Sequence, residues 1–410
     1  MKLLVINCFT TFLLFAGLVS AQDGRYAQPV FDHVLVTSGI PFSSATAEGA
    51  SSPSTLYFDF YEPSGDTLAA RPLVITVFGG AFVAGSRDYV DMKAYGERLA
   101  KYGYAVASID YRLLPLTSIS ATSLIRTAYM ASQDVSAAIR FFKAFASDYR
   151  IDTSNIFLLG NSAGTIAILH EVFMTEEERP NETFASPDLG SIHSSGYDEY
   201  AGFSPNVAGV LAQWGGVMDV HVIDSAEYVP LCLIHGTNDN VVPFDSGYCY
   251  SSLAALLMPY MYGSHSIANH LSTLGIHNYE LHPFEGEGHC FYIWGLNILL
   301  DDKFDTCFNI IRNFLYQHIQ FSETSCLPTV ETSKLYVFPN PAEQQITLHA
   351  KNLSYCIPCT VEVLDVGGNL VWSQTAQFPM FLNISNFSSG IYFIYATQNN
   401  MRFHGKFVKK

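Results

Sequence analysis

Ile156-Phe157-Leu158-Leu159 runs into Gly160-Asn161-Ser162-Ala163-Gly164, and that pentapeptide into the helix-patterned Thr165–Phe173. The order is an apolar strand, a sharp turn and a helix. A G-x-S-x-G turn in this setting holds its serine hydroxyl out at the apex. The flanking glycines fit because backbone and neighbouring strands crowd such a turn too closely for a β-carbon. The pentapeptide alone is common, since Gly, Ser and Ala gather in many loops. The strand before it and the helix after it give it weight.

Around this turn, from about Asp32 to Gln320, short apolar runs alternate with longer helical patterns. Strands are predicted at Leu56–Tyr61, Leu73–Phe78, Ala105–Ile109, Ile156–Leu159, Val207–Gln213, Pro230–His235 and Tyr279–Pro283. Most are nearly continuous in Val, Ile and Leu, as parallel strands buried on both faces require. Helices are predicted near Lys93–Tyr102, Ser123–Ala146, Ala163–Phe173, Ser246–Met258, Ser264–Leu274 and Asn297–Ile319. The alternation implies an α/β domain, a doubly wound and mostly parallel sheet covered by helices on both faces. Glu176–Ser204, rich in Pro, Asn, Gly and Ser, breaks the rhythm. It reads either as a flap over the site or as surface decoration.

Near Ser322 the composition shifts. Residues 323–334 read as a linker, and after them the helical period disappears. About seven short strands follow, from Leu335–Phe338 to Phe403–Val408, with Gly367-Gly368 and Ser389-Gly390 among the turns. They predict a small β-sandwich over 335–410. This region carries no serine, histidine and acid constellation, so chemistry is expected in residues 22–322.

The chain has 410 residues, 49% of them hydrophobic, enough for a substantial core. Its net charge of −16 argues against nucleic acid or an anionic membrane surface as a partner. Residues 1–21 read as an export signal: Lys2, the apolar Leu3–Val19, then the small-residue site Val19-Ser20-Ala21. Seven cysteines follow it, Cys232, Cys249, Cys290, Cys307, Cys326, Cys356 and Cys359. Their odd number leaves at least one thiol free or intermolecular. Cys232, in an apolar run, reads as a buried thiol. Cys356-Ile357-Pro358-Cys359 has neither a βαβ setting nor a second C-x-x-C, so a local disulfide or two unpaired thiols is expected, not a zinc site.

A serine hydroxyl is a poor nucleophile near neutral pH. Ser162 therefore needs a base within hydrogen-bond reach and an acid to orient that base. In a doubly wound sheet both come from loops after later strands, in the order serine, acid, histidine. Asp239, in His235-Gly236-Thr237-Asn238-Asp239, follows one predicted strand, and His289, in Gly286-Glu287-Gly288-His289, follows the next. Asp219 and Asp224 are competing acids. His235 precedes Asp239 and is out of order, while His282 lies within a strand and reads as packed. Glu285 and Glu287 are too near His289 in sequence to orient it. For the developing oxyanion, donors are expected from the backbone of Ala163 and from Gly80 and Ala81 in Phe78-Gly79-Gly80-Ala81-Phe82. No metal or organic cofactor is called for.

Together these residues resemble the α/β-hydrolase superfamily, and within it the secreted carboxylesterases and lipases. The resemblance spans roughly Tyr57–Gln320. It is carried by Phe78–Phe82 (like the HGGGF/W oxyanion loop), Asp110-Tyr111-Arg112-Leu113 (like DYRL), the Gly160–Gly164 elbow, His235–Asp239 and Gly288-His289. Phe78 stands where that family has histidine, and Ala81 where it has a third glycine. Both changes spare the backbone donors and alter the shape of the hole.

The last seventy or so residues resemble the C-terminal sorting domain of the type IX secretion system of Bacteroidetes. The carriers are Val337-Phe338-Pro339-Asn340-Pro341-Ala342, Val363–Gly368, Ser389-Gly390-Ile391-Tyr392 and the basic end Lys406–Lys410. The resemblance implies export through the periplasm to the cell surface or beyond, with the secretion machinery as partner. The expected function is a secreted serine esterase acting on a small-molecule or polysaccharide-linked ester. A prolyl-peptidase-like exopeptidase and a non-catalytic surface binding protein are the rivals. The first usually adds a propeller, and no blade-length repeat occurs here; the second would have no use for an intact set of catalytic residues.

Overall fold

The computed structural model describes residues 24–224, 229–250, 258–295, 298–320, 332–349, 359–376, 380–398 and 401–410. The chain divides into two compact units, Met1–Gln320 and Phe321–Lys410. The first contains strands β1 (Val34–Ala45), β2 (Ser54–Pro63), β3 (Arg71–Val77), β4 (Ala105–Ile109), β5 (Ile151–Asn161) and β6 (Gly209–Gln213). After them come β7 (Gly216–Val217), β8 (Leu231–Gly236), β9 (Ser246–Tyr248), β10 (Tyr260–Gly263) and β11 (Tyr279–Phe284). Its helices are α1 (Val90–Lys101), α2 (Ala121–Ala144), α3 (Ala146–Tyr149), α4 (Ala163–Phe173), α5 (Ser264–Thr273) and α6 (Asp301–His318).

The main sheet runs β1-β2-β4-β3-β5-β6-β8-β11. The pairs from β4 onward are parallel, and β1 and β2 close one edge antiparallel. Every residue of β3, β4, β6 and β8 is buried, which is why these strands lack the alternation of a one-sided sheet. β1 was not anticipated. Its outer residues are largely exposed, and an edge strand with polar substitutions carries no strong apolar run. The predicted helix Ser246–Met258 is corrected: Ser246–Tyr248 is a strand antiparallel to β10, and 251–257 lie outside the described residues. Gly247 disfavours a helix there, and Tyr248 packs edge-on against Tyr260 across the pair, ring centroids 5.2 Å apart.

The stretch Glu176–Ser204 is strapped along α2. Buried Arg126 donates to Glu48 at 2.9 Å and to the carbonyls of Glu182, Ala185 and Pro187 at 2.8, 3.2 and 2.9 Å. One to two turns farther along, Tyr129 donates to the Gly190 carbonyl, and Gln133 to those of Leu189 and Ser191. A buried guanidinium with that many acceptors cannot be removed without stranding them. Glu48 keeps partial solvent contact, so Arg126→Ala should cost about 2–3 kcal/mol, read as a lower urea midpoint. A midpoint at the wild-type value would show that the strap is held otherwise.

In the second unit, strands Thr332–Lys334, Gly390–Gln398, Met401–Lys409, Cys359–Leu364 and Leu370–Ala376 form one sheet, and Tyr336–Phe338, Gln345–His349 and Met380–Asn383 a second. Ile346, Leu348 and Leu382 of the second share an apolar core with Val361, Val363, Ile394 and Phe403 of the first. This is the expected sandwich, with eight strands among the described residues. The extra one, Thr332–Lys334, falls in the stretch read as linker; residues 321–331 lie outside the described set, as do residues 1–21, read as an export signal, and Cys326 and Cys356. Cys232 is buried and free, as expected, and Cys249, Cys290, Cys307 and Cys359 are also free thiols. Among the described residues no helix is long and apolar enough to cross a membrane.

Candidate active site

The carboxyl ends of β3, β5, β8 and β11 lie at one edge of the sheet, where an open α/β sheet gathers its ligands. Ser162 sits between β5 and α4 with φ 49° and ψ −118°, a left-handed conformation that a serine adopts only where its surroundings impose it. The crowding is explicit. A β-carbon on Gly164 would lie 2.1 Å from the Val77 carbonyl oxygen. Glycine there lets α4 start directly against β3, and the turn throws the serine hydroxyl outward.

That hydroxyl meets His289 Nε2 at 2.8 Å, and His289 Nδ1 meets Asp239 Oδ2 at 2.7 Å. The other carboxylate oxygen of Asp239 accepts the amides of Val241 and Val242 at 2.8 and 3.0 Å. Those amides fix the carboxylate, so its free oxygen faces the imidazole. Trp214 stands edge-on to His289, ring centroids 6.5 Å apart. Burial works to raise the Asp239 carboxyl, but hydrogen bonds from His235 and His289 outweigh it and hold the group at about 2. For His289 burial works downward and the Asp239 hydrogen bond outweighs it, pushing the imidazole up to about 9. The pair therefore rests as carboxylate and imidazolium near neutrality.

Gly80, Ala81 and Phe82 all have positive φ, at 134°, 55° and 63°. A β-carbon on Gly80 would lie 2.0 Å from the Ala84 carbonyl oxygen. Two strained residues that are not glycine beside the Ser162 hydroxyl mark a loop shaped for something other than stability. Among the described residues no protein acceptor takes the amides of Gly80, Ala81 or Ala163. Ala163 opens α4, so its N–H has no partner within the helix. The resembling segment Asp110–Leu113 supports this loop from below. Tyr111 stacks on Phe78 at 4.3 Å between ring centroids and donates to its carbonyl at 3.1 Å. Phe78, where the family has histidine, thus serves as an aromatic floor.

Two cavities meet at Ser162. One, of about 50 Å³, is apolar, with Phe82, Leu124, Ile125, Met218 and Met261 in its wall. The other, of about 390 Å³, is wider and more polar, with Tyr89, Asp91, Asn161, Tyr250, His289 and Cys290. Neither is lined by a described residue of Glu176–Ser204, which favours the decoration reading over the flap.

The competing groups are occupied elsewhere. Asp224 accepts from His270 at 2.6 Å, and Asp219 caps the turn Val220–Ile223. His282 pairs with Glu280 at 2.9 Å, and Glu287 with Lys303 at 2.7 Å. Two features escaped sequence reading. His235 reaches Asp239 Oδ2 with Nε2 at 3.1 Å. Beneath the elbow, buried Asp91 accepts the side-chain amide of Asn161, next to the serine. Tyr292 OH stands 3.4 Å from Asp91 and 3.2 Å from Gln213 Oε1, and Gln213 donates to Tyr95 OH at 3.0 Å. Burial pushes the Asp91 carboxyl up to about 6.

Comparison with known proteins bears on the fold of each unit. Residues 58–228 match the family model BD-FAE, and residues 336–410 match that of the secretion system C-terminal sorting domain. The first unit has the α/β-hydrolase fold, and the last residues match a sorting domain. The chain is 27% identical over 277 residues to a probable isoprenylcysteine alpha-carbonyl methylesterase of Arabidopsis thaliana, covering 60% of the chain and 51% of the relative. With the human bile salt-activated lipase it shares 30% identity over 120 residues, 28% of the chain and 16% of that protein. It therefore spans about half the length, or less, of the curated relatives it matches. Among solved structures, a thermophilic esterase of Thermogutta terrifontis in its butyrate-bound form aligns at 19% identity with a TM-score of 0.47, covering 67% of this chain and 92% of the esterase. The sorting domain marks the chain for type IX export.

Proposed function

We propose that this α/β-hydrolase is a secreted serine esterase in which Ser162, His289 and Asp239 act as nucleophile, base and orienting acid. The observation that carries the reading is the unbroken hydrogen-bonded chain from hydroxyl through imidazole to carboxylate. Neutral His289 takes the Ser162 proton as Oγ bonds to the ester carbonyl carbon. The resulting oxyanion accepts from the Gly80, Ala81 and Ala163 amides. Collapse breaks the bond to the alkoxy oxygen, which leaves with the His289 proton. Water then attacks the acyl-enzyme by the same route in reverse, releasing the acid and restoring the serine. Ester hydrolysis is also what the names of the methylesterase and lipase relatives describe.

The two cavities divide the substrate. The narrow apolar one suits a short acyl chain, and the wider one takes the alcohol side, with room and polar groups for a sugar residue. Among p-nitrophenyl esters, kcat/KM should fall at least about tenfold from acetyl or butyryl to octanoyl, because extra methylenes overfill the small pocket. A flat profile would remove the acyl assignment. The reading itself is tested by a fluorophosphonate probe followed by peptide mapping: the adduct is expected on Ser162, with aryl acetate hydrolysis lost in step. A label elsewhere overturns it. Turnover of peptide amides but not esters would instead favour the exopeptidase.

A further inference from the structure

His235 was set aside in sequence because it precedes the acid, yet it ends up bonded to it. It closes β8 in the core with its side chain fully buried. Its Nε2 faces two acceptors, Asp239 Oδ2 and the Val242 carbonyl, each at 3.1 Å. An imidazole nitrogen between two acceptors must carry a proton. Nδ1 faces the hydroxyl of Ser264, the first residue of α5, at 2.9 Å. That hydroxyl can donate to Nδ1, so a neutral ring satisfies both nitrogens. Phe244 packs edge-on against the ring, centroids 5.6 Å apart.

The oxygen that His235 binds is the one that binds His289. Asp239 Oδ2 thus receives two imidazole donors, one from the core side and one from the site side, while Oδ1 receives two backbone amides. The four donors leave the carboxylate little freedom to rotate. We propose that His235 is a positioning residue: through its Nε2–H it holds Asp239 in the orientation that His289 requires and withdraws charge from the shared oxygen. This rests on the esterase reading and extends it by a group outside the three reacting side chains. Around the pair, Cys249, Tyr250 and Cys290 are the other described titratable groups with a field at Asp239 or His289.

The sign of the effect follows. Without His235, Asp239 keeps its charge but loses a donor, so Oδ2 becomes more negative and favours imidazolium at His289. The acid limb of kcat/KM should move to higher pH. A looser carboxylate should also lower kcat by roughly tenfold to a hundredfold, with KM little changed.

The experiment uses the full chain, with active sites counted by fluorophosphonate titration so that misfolded protein does not enter kcat. His235→Leu is expected to show both changes. His235→Gln, whose amide nitrogen falls near the place of Nε2, should restore most of kcat and the wild-type limb. If His235→Leu folds poorly, Ser264→Ala offers a milder route: it removes the hydroxyl that fixes the far side of the ring, loosens its hold on Asp239 and should move kcat in the same direction. A purely structural role would lower the yield of titratable sites and leave kcat per site and the acid limb where they were. That result, or a Gln variant as impaired as Leu, overturns the proposal. Loss of the esterase reading would appear separately, as turnover that does not depend on Ser162.

Discussion

Ser162→Ala should fold like the parent chain and lose roughly 10⁶-fold in kcat for a short-chain aryl ester. The backbone at this position is already strained with a side chain in place, so alanine adds no new clash. It removes one hydroxyl whose hydrogen bond to His289 is worth about 1 kcal/mol of stability at most. In the proposed mechanism the chemistry depends on that oxygen entirely, since no other described hydroxyl touches His289 Nε2. What should survive is the modest acceleration from the amides of Gly80, Ala81 and Ala163 and from substrate binding. The measurement is a burst-free progress curve on purified variant whose circular dichroism matches the wild type. Turnover within tenfold of wild type would remove Ser162 from the reaction.

Asp239→Asn should cost about 10⁴-fold in kcat. Whichever way the new amide lies, an NH₂ group takes the place of an acceptor. Facing His289, it forces the proton onto Nε2, and the serine hydroxyl then has no base. The pH dependence gives a second readout of the same contact. In the wild type the His289 imidazole stands at about 9, so kcat/KM should climb about tenfold per pH unit from neutrality and level off above that value. The Asp239 hydrogen bond favours imidazolium while burial opposes it. With the carboxylate gone and burial unchanged, the acid limb should move to lower pH even as the plateau collapses. An unmoved limb would mean that another group sets it.

Where apolar patterning alone fixes an element, the sequence was readable almost to the residue. Ala105–Ile109 and Ala163–Phe173 fall where they were expected, because one is buried on both faces and the other starts at an elbow that permits no other register. The Ser162, Asp239 and His289 set was legible for a related reason: chain order and strand endings bring the three together without knowledge of any side-chain contact. What stayed hidden depends on pairings across the chain. β1 gains its place from nine backbone pairs with β2 and not from its own composition. The strap could not be told from a flap, since Arg126 and Gln133 look like ordinary helix residues until their carbonyl partners are known. His235 was discounted on order, a rule that governs reacting groups and says nothing of what stands behind them.

The polar cluster under the elbow has a consequence for descent. Asp91 and Tyr95 of α1 and Asn161, Gln213 and Tyr292 come from four separate stretches, and each satisfies another's buried atoms. A replacement at any one leaves a neighbour's buried polar atom without its partner. Such a set resists piecemeal drift. Lineages that keep it should carry all five together, and those that lose it should have exchanged the whole group for hydrocarbon.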